Sequence, residues 1–241
     1  MLAATLAIGC GRIGFGAQPA DGAGTIDAPA DAATQPAGPK IWLQMETDPT
    51  TGIVDSAGAH TCFCDSMTGC PSRAAGLHGF GYKFTGQAVE VADALDLDPS
   101  AGFTAAAWVQ LEAAPMNSLS TVFAKPISAA TDTFVLAVDP GSASTFDSET
   151  QTGTTDSFAG PVLPFGEWHH LAFVWTGTEK LGYTDGVLVA AHTVSVGVAA
   201  TGFFVGGDDS PATFFLTGVV DDVIYYTRAL SAAEVAQLAT P

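Results

Sequence analysis

The 241-residue sequence has few basic residues: seven Lys plus Arg stand against 25 Asp plus Glu, which gives a formal net charge of −18. Nucleic-acid binding depends on clustered Lys and Arg that neutralise phosphates, and here the basic residues are scattered along the chain. An anionic membrane surface should also repel a chain of this charge. The composition therefore argues against a nucleic-acid partner and indicates an acidic, solvated surface that can supply oxygen ligands for cations.

The sequence also lacks the short motifs of several enzyme classes. It has no Gly-x-Ser-x-Gly elbow, no His-Glu-x-x-His zinc motif and no Glu-x-Asp-x-x-Glu run, the pattern that pairs carboxylates in glycosidases. Adjacent His169 and His170 fall in an alternating segment, where neighbouring side chains point to opposite faces, so they cannot bind one ion together. We therefore predict that the protein is not an enzyme.

Cysteine is scarce, and three of the four cysteines, Cys62, Cys64 and Cys70, fall within nine residues. Outside the cytoplasm these three thiols should oxidise to one disulfide and leave one thiol free. Cys62 and Cys64 are poor partners for each other on geometric grounds, so we expect one of them to pair with Cys70. The alternative is a metal site formed by the three cysteines with His60 and His78, although Cys-x-Cys is not the usual zinc spacing.

The first residues are apolar and small. Residues 1–9 are too short to span a bilayer but fit the end of a signal peptide. The sequence Ala7-Ile-Gly-Cys10 resembles a bacterial lipoprotein lipobox, with Ala7 where Leu is usual and no Lys or Arg before the apolar run. The resemblance implies cleavage before Cys10 and acylation of that residue, and hence a lipid anchor in the bacterial cell envelope, facing the periplasm or the exterior. The alternative is a plain secretory leader with an incidental cysteine.

Residues 11–40 are rich in Ala, Gly, Pro, Asp, Thr and Gln and show no hydrophobic period, so they are predicted to form a flexible tether. The rest of the chain, residues 41–241, is predicted to be one all-β domain. Apolar residues make up 47% of the sequence and charged residues 13%, which is typical of a packed domain. The 27 glycines and 14 prolines suit many short strands joined by tight turns.

Several segments of this domain have a clear local signature. Alternation over Phe103–Leu111 and over residues 167–175 predicts strands with one buried face. Asp185-Gly186 has the residues of a type I′ hairpin turn. Ser231-Ala-Ala-Glu234 is a capping box that predicts a short C-terminal helix.

Residues 142–160 are rich in Ser, Thr, Gly and Asp. We predict a long loop there, and a loop of this length in a compact domain is usually functional or mobile. Its low aromatic content argues against a platform on which sugars stack.

The order of the motifs is similar to that of laminin-G-like, concanavalin-A-like jelly-roll domains. The matching motifs are Phe103-Thr-x-x-x-Trp-Val, Trp168-His-His-Leu-Ala, Tyr183-x-Asp-Gly and Gly218-x-x-Asp-Asp. The resemblance covers residues 41–239 and implies a two-sheet antiparallel jelly-roll sandwich with a short C-terminal helix.

The resemblance implies a non-catalytic, surface-tethered module that binds a glycan or an extracellular protein partner. The alternatives are a glycan-active hydrolase or lyase with an unrecognised site, and a purely structural envelope lipoprotein. Exposed aromatic residues and a groove on the concave sheet would favour the binding module, whereas a flat polar face would favour the structural protein.

Many domains of this family hold a cation, which implies a Ca²⁺ site. Asp221, at the Gly-x-x-Asp-Asp position, is the first candidate ligand, followed by Asp208 and Asp209 in an acidic loop. The alternative is that Asp221 only hydrogen-bonds a neighbouring loop.

Overall fold

The computed structural model describes residues 35–58, 60–115, 118–128, 130–208 and 214–241. The predicted signal peptide (1–9), the predicted lipidation site Cys10 and most of the predicted tether lie outside the described residues, and so does Asp209.

Within these residues the chain is built from antiparallel strands and one short α-helix. The elements are β1 (Ile41–Leu43), β2 (Cys62–Cys64), β3 (Ser72–Ala75), β4 (Phe80–Thr85), β5 (Val89–Val91), β6 (Phe103–Leu111), β7 (Ser120–Ser128), β8 (Thr131–Val138), β9 (Ala143–Glu149), β10 (Thr155–Val162), β11 (Trp168–Trp175), β12 (Glu179–Thr184), β13 (Val187–Thr193), β14 (Phe203–Val205), β15 (Thr217–Tyr226) and α1 (Ala232–Leu238). A 3₁₀ turn, Leu95–Leu97, precedes β6.

The strands form two sheets. The first sheet has the order β13-β12-β11-β6-β15-β4-β3, with β1 also paired to β15, and the second has the order β10-β9-β8-β7-β14-β5-β2. Every described pairing is antiparallel. The two sheets pack face to face, so the predicted two-sheet jelly-roll sandwich is confirmed.

Aromatic side chains fill the space between the sheets. The ring of Phe103 stacks on Phe134 of the opposite sheet at 5.2 Å between centroids and on Phe173 at 5.4 Å. Phe203 meets Tyr225 at 4.5 Å. Stacked rings of this kind contribute about 0.5–1.5 kcal/mol per pair beyond the area they bury. The alternation predicted for β6 and β11 places Phe103 and Phe173 on this inner face, as expected.

Two lysines are buried in the same space. Lys180 of β12 is fully buried, and its Nζ donates to the carbonyl oxygens of Phe146 (3.1 Å) and Asp156 (2.7 Å) in the second sheet. Lys125 of β7 donates to the Thr201 carbonyl and lies over the Phe203 ring. Burial lowers the pKa of both lysines, that of Lys125 to about 7. The amines therefore link segments within the sandwich as hydrogen-bond donors.

Strand β15 bends in its middle. Its first half pairs with β4 and its second half with β1, while its register against β6 shifts between Asp221 and Ile224. Asp222 takes a positive φ of 46° at this bulge. A bulge lets one strand change partner and redirects its side chains, which accounts for the bend at Gly218-x-x-Asp-Asp.

Helix α1 covers the outer face of the first sheet. Ser231 and Glu234 form the predicted capping box, and Val235 and Leu238 are buried against Tyr183 and Tyr226. The hairpin before it also forms as predicted, because Asp185 and Gly186 both take positive φ, 51° and 74°. The first sheet thus has both faces covered along β6, β11 and β15.

The prediction of a loop over residues 142–160 is wrong, because most of this segment forms strands β9 and β10. Phe146 and Phe158 stack on each other at 5.3 Å and face the other sheet. Hydroxyls facing inward find partners there, as Ser144 does with Thr184 at 3.1 Å. A Ser- and Thr-rich segment can therefore be a strand when two aromatic residues anchor its inner face.

The end of the predicted tether contacts the domain. Pro36 is buried, and its carbonyl oxygen accepts a hydrogen bond from the Tyr226 hydroxyl at 2.9 Å. The Lys40 backbone N–H donates to the Tyr225 carbonyl at 2.7 Å, and Arg228 donates to the Ala37 carbonyl at 3.2 Å. The folded unit therefore begins before Ile41. None of the helices in the described residues is long and apolar enough to cross a membrane.

A chain that starts at Ile41 should be less stable than one that starts at Gln35. It lacks the partner of the buried Tyr226 hydroxyl, and leaving such a group unpaired costs about 1–3 kcal/mol. For a domain of this size we expect the melting temperature to fall by roughly 2–10 °C, measured by circular dichroism. Tyr226→Phe is the matched control: it should lower the melting temperature of the longer chain and hardly change the shorter one. Equal melting temperatures for the two lengths would contradict this boundary.

Candidate functional site

The outer face of the second sheet has no described helix packed on it, unlike the outer face of the first sheet. One row of side chains crosses this face from edge to edge, as the strand register shows. The row is Ser157, Asp147, Val135, Ala124, Phe204, Glu90 and Phe63. We call this surface the ligand face. It is polar and acidic at the β10 edge and aromatic at the β2 edge, where Phe63 is 41% exposed.

A cavity of about 420 Å³ opens on the acidic half of the ligand face. Four carboxylates line it: Asp132, Asp147, Glu149 and Asp208. Leu119, Val135 and Phe214 supply an apolar wall, and Thr121 and Thr155 supply hydroxyls. An apolar surface with a few convergent polar groups is the usual composition of a small-molecule site.

The strands fix the acidic side chains in place. Asp147 and Glu149 are two residues apart on β9, so they share one face of the strand. The Ser157 hydroxyl donates to Asp147, and Glu149 accepts from the Asp132 backbone N–H at 3.1 Å and from the Thr155 hydroxyl at 2.9 Å. Burial raises the pKa of Asp147, opposed by the Ser157 hydrogen bond and the charge of Lys180. These carboxylates are thus held in a partly desolvated position.

One hydroxyl in the lining has no partner among the described residues. The Oγ1 of Thr121, on β7, is buried and makes no hydrogen bond there. An unpaired buried hydroxyl is costly, and a ligand hydroxyl in the cavity would relieve that cost.

The structure separates the predicted cation ligands. Asp208 is buried and lines the cavity. Asp221 lies in the first sheet, beside Asp222 and His78. Asp208 and Asp221 are close in sequence but therefore do not belong to one site.

Asp221 anchors the turn between β3 and β4. Its Oδ2 accepts hydrogen bonds from the backbone N–H groups of Leu77 (2.9 Å) and His78 (3.1 Å), and its Oδ1 accepts from Asp222 N–H (2.9 Å). The turn approaches so closely that a Cβ on Gly76 would lie 2.5 Å from Asp221 Oδ2. This is the hydrogen-bonding role that the sequence left as the alternative to calcium.

One potential metal-binding group exists among the described residues. The ligand atoms of His78, Asp221 and Asp222 lie within 4.8 Å of one another. Asp222 also accepts from Trp42 Nε1 (2.9 Å), and its other oxygen meets His78 Nδ1 (2.7 Å). Calcium prefers six to eight oxygen ligands, and this group has one imidazole and two carboxylates already engaged in hydrogen bonds. The group is better suited to holding the β3–β4 turn against β15 by hydrogen bonds than to binding calcium. Calcium binding stays a prediction.

A melting experiment tests calcium directly. Burial, followed by the charge of Asp222, raises the pKa of Asp221 to about 8, and a metal must compete with that proton. If the group binds Ca²⁺, the ion should raise the melting temperature by several degrees relative to EDTA, with a larger rise at higher pH. Asp221→Asn should abolish the difference. A wild-type melting temperature that is the same with Ca²⁺ and EDTA would rule out a stabilising site.

The histidines of β11 are structural. His169 Nδ1 lies 3.0 Å from the Asp185 carboxylate, which also accepts the His170 backbone N–H at 2.9 Å. His170 packs edge-on against Trp108, and its burial lowers its pKa to about 4. The two rings point to opposite faces, as the alternation predicts.

Cys64 and Cys70 form a disulfide, and Cys62 is a free thiol. This is one of the two pairings that the spacing allows. It removes two ligands from the alternative metal site, and His60 instead bridges the carboxylates of Asp55 and Asp96 at 2.8 and 3.0 Å.

Several solved structures have a fold similar to that of this chain. Domain 4 of AbnA, an extracellular arabinanase from Geobacillus stearothermophilus solved with arabinotriose, superposes with a TM-score of 0.63 at 20% identity, over 83% of this chain and 97% of that domain. A Trypanosoma rangeli sialidase superposes with a TM-score of 0.67 at 15% identity, over 86% of this chain and 33% of the sialidase. The binding domain of Paraclostridial mosquitocidal protein 1 superposes with a TM-score of 0.62 at 13% identity, over 83% of this chain and 51% of that domain. Identities this low establish the fold alone.

A search of curated protein sequences gave no match. The profile of the Laminin_G_3 family matches residues 83–236, which run from the second half of β4 to most of α1. The match covers more than half of the chain, so the protein belongs to this laminin G family of the concanavalin A-like lectin/glucanases superfamily.

Proposed function

We propose that the protein is a non-catalytic module that binds a glycan in the cavity on the ligand face. The observation that carries the proposal is the cavity itself, about 420 Å³ and lined by carboxylates, hydroxyls and an apolar wall. Its volume falls within the roughly 300–1,000 Å³ of small-molecule sites.

The lining suits a sugar. Carboxylate and hydroxyl oxygens accept hydrogen bonds from sugar hydroxyls, while Leu119, Val135 and Phe214 can pack against the C–H face of a ring. Phe204 and the exposed Phe63 continue the ligand face beyond the cavity and could contact further units of a chain. Three similar structures are an arabinanase domain solved with arabinotriose and sialidases solved with sialic acid analogues, which supports a glycan ligand by analogy of fold.

A tryptophan that fills the cavity should abolish binding. Val135 is on the cavity wall and 7% exposed, whereas Val187, on the edge of the other sheet, is 66% exposed. On a glycan array probed with and without Ca²⁺, Val135→Trp should reduce binding at least about tenfold, and Val187→Trp should bind as wild type does. Thr155→Trp, at the exposed rim, repeats the test without disturbing the sheet.

Binding that survives both cavity variants would place the site elsewhere. An array on which the wild type binds nothing would contradict glycan recognition and favour a protein partner or the structural role.

Glycan hydrolysis is a second candidate, because one observation favours it. Asp147 and Glu149 share a face of β9 in the cavity, and the raised pKa of Asp147 is a property of a general acid. Both are already held by protein hydrogen bonds, which suits positioning as well as catalysis. Our proposal predicts no new reducing ends when the wild type is incubated with the glycans it binds. Release that Asp147→Asn abolishes would establish the hydrolase instead.

We also propose that Cys10 carries a lipid anchor in a bacterial envelope, which would hold the module at the cell surface. The support is the sequence Ala7-Ile-Gly-Cys10 and the polar segment after it. Expressed in a bacterium, the wild type should accumulate as an unprocessed form when globomycin blocks lipoprotein signal peptidase, and Cys10→Ser should not respond. Identical processing of the two chains would contradict the anchor.

A further inference from the structure

We infer that the cavity selects sugars carrying a free amino group, such as glucosamine units, over neutral sugars and against acidic ones. This inference rests on the proposed glycan-binding function and adds the chemical class of the ligand. It follows from the charges around the cavity, from their spacing and from the buried hydroxyl of Thr121 in its lining.

The charge of the lining has one sign. Asp132, Asp147, Glu149 and Asp208 line the cavity, and none of the described lining residues is Lys, Arg or His. No Lys or Arg occurs in residues 126–179 or 181–227. Lys180, which lies between these stretches, points into the core and donates to the carbonyls of Phe146 and Asp156.

Asp147 and Glu149 form no direct ion pair, although the charge of buried Lys180 acts on Asp147. Neither forms an ion pair with a described Lys, Arg or His, and their hydrogen-bond donors are hydroxyl and backbone N–H groups. A partly buried carboxylate is screened less than an exposed one. A ligand cation placed between these two side chains would therefore be attracted to Glu149, which has no ion pair, and to Asp147, whose charge Lys180 offsets only in part.

The spacing favours an organic cation over a metal ion. Among the described residues, the only group with three potential ligand atoms within 4.8 Å is His78, Asp221 and Asp222. The cavity carboxylates do not converge to that extent, although four of them share one lining. Carboxylates distributed around a cavity can contact an ammonium and the hydroxyls next to it at the same time.

The buried hydroxyl of Thr121 favours a ligand with hydroxyls of its own. Thr121 is 0% exposed, lines the cavity and has no hydrogen-bond partner for its hydroxyl among the described residues. A small amine such as a lysine side chain offers an ammonium but no group for this oxygen. An amino sugar offers both, together with a C–H face for Val135 and Phe214.

Acidic sugars should be rejected for the same reason. A uronate or sialate carboxylate would enter a cavity whose described lining residues carry only negative charges, and like charges at an interface disfavour a ligand. The sialidases similar in fold were solved with sialic acid analogues, so we expect the ligand preference of this chain to differ from theirs.

Isothermal titration of the full chain with three tetrasaccharides tests the inference: the β-1,4-glucosamine tetramer, its fully N-acetylated form and the galacturonate tetramer. At about pH 6, where amines of this kind are protonated, we expect the glucosamine tetramer to bind at least about tenfold more tightly than the acetylated one. The galacturonate tetramer should not bind. Added salt should reduce the preference, because it depends on charge.

The variants Asp147→Asn and Glu149→Gln should lower the ratio between the glucosamine and acetylated tetramers towards one. The matched control is Glu179→Gln, which removes an exposed carboxylate from the other sheet and should leave the ratio unchanged.

The possible results separate this inference from the proposed function. Equal binding of the glucosamine and acetylated tetramers, or binding of the galacturonate tetramer, would overturn the amino-sugar preference and leave glycan binding intact. Binding of N-α-acetyl-lysine amide as tightly as the glucosamine tetramer would show that the cavity recognises any amine. No binding of these sugars or of any glycan on the array would remove the proposed function as well.

Discussion

The stacking of aromatic side chains between the two sheets is the interaction on which the rest of the structure depends. Phe103 and Phe173 of the first sheet contact Phe134 of the second, and Phe203 contacts Tyr225 across the same space. Truncating one such ring to alanine costs about 3–5 kcal/mol in a packed core. Because this core occupies the inner face of each sheet, any ligand must bind on an outer face or at an edge.

The outer faces of the two sheets differ in what covers them, and this difference indicates where the candidate site lies. Helix α1 buries Val235 and Leu238 on the first sheet, so its face is part of a second apolar cluster. No described helix covers the second sheet, and its face carries a cavity. The acidic residues are also divided by environment. Asp221 is satisfied by three backbone N–H groups and Asp156 by Lys180, whereas Asp147 and Glu149 face a cavity and form no direct ion pair with a described Lys, Arg or His.

Much of the fold could be predicted from local sequence. Alternation in β6 and β11, the Asp185-Gly186 turn and the Ser231–Glu234 capping box each depend on residues close together in the chain, and each is confirmed. The order of the sequence motifs identified the family because each motif is also made of residues close together in the chain. The polar strands β9 and β10 were missed, because their Ser and Thr content resembles a loop when Phe146 and Phe158 are considered without the opposite sheet.

The candidate site was not predicted either, because part of it lies in residues 142–160, which were predicted to form a loop. Asp147 and Glu149 became neighbours of Asp208 only through the pairing of distant strands, which no spacing in the sequence reveals. The role of Asp221 was open for a similar reason, because its partners Leu77 and His78 are more than 140 residues away. Sequence spacing did limit the disulfide to two pairings but could not choose between Cys62 and Cys64 as the partner of Cys70.

The central claim is that the ligand face of the second sheet binds a glycan, and mapping of backbone amide shifts by NMR tests it most directly. On titration with a glycan that the chain binds, the account predicts shifts concentrated in β8, β9 and β10, including Val135, Asp147 and Glu149, and extending along the row towards Phe204. Shifts concentrated instead around α1, at the edge strand β13 or in the turn held by Asp221 would contradict it.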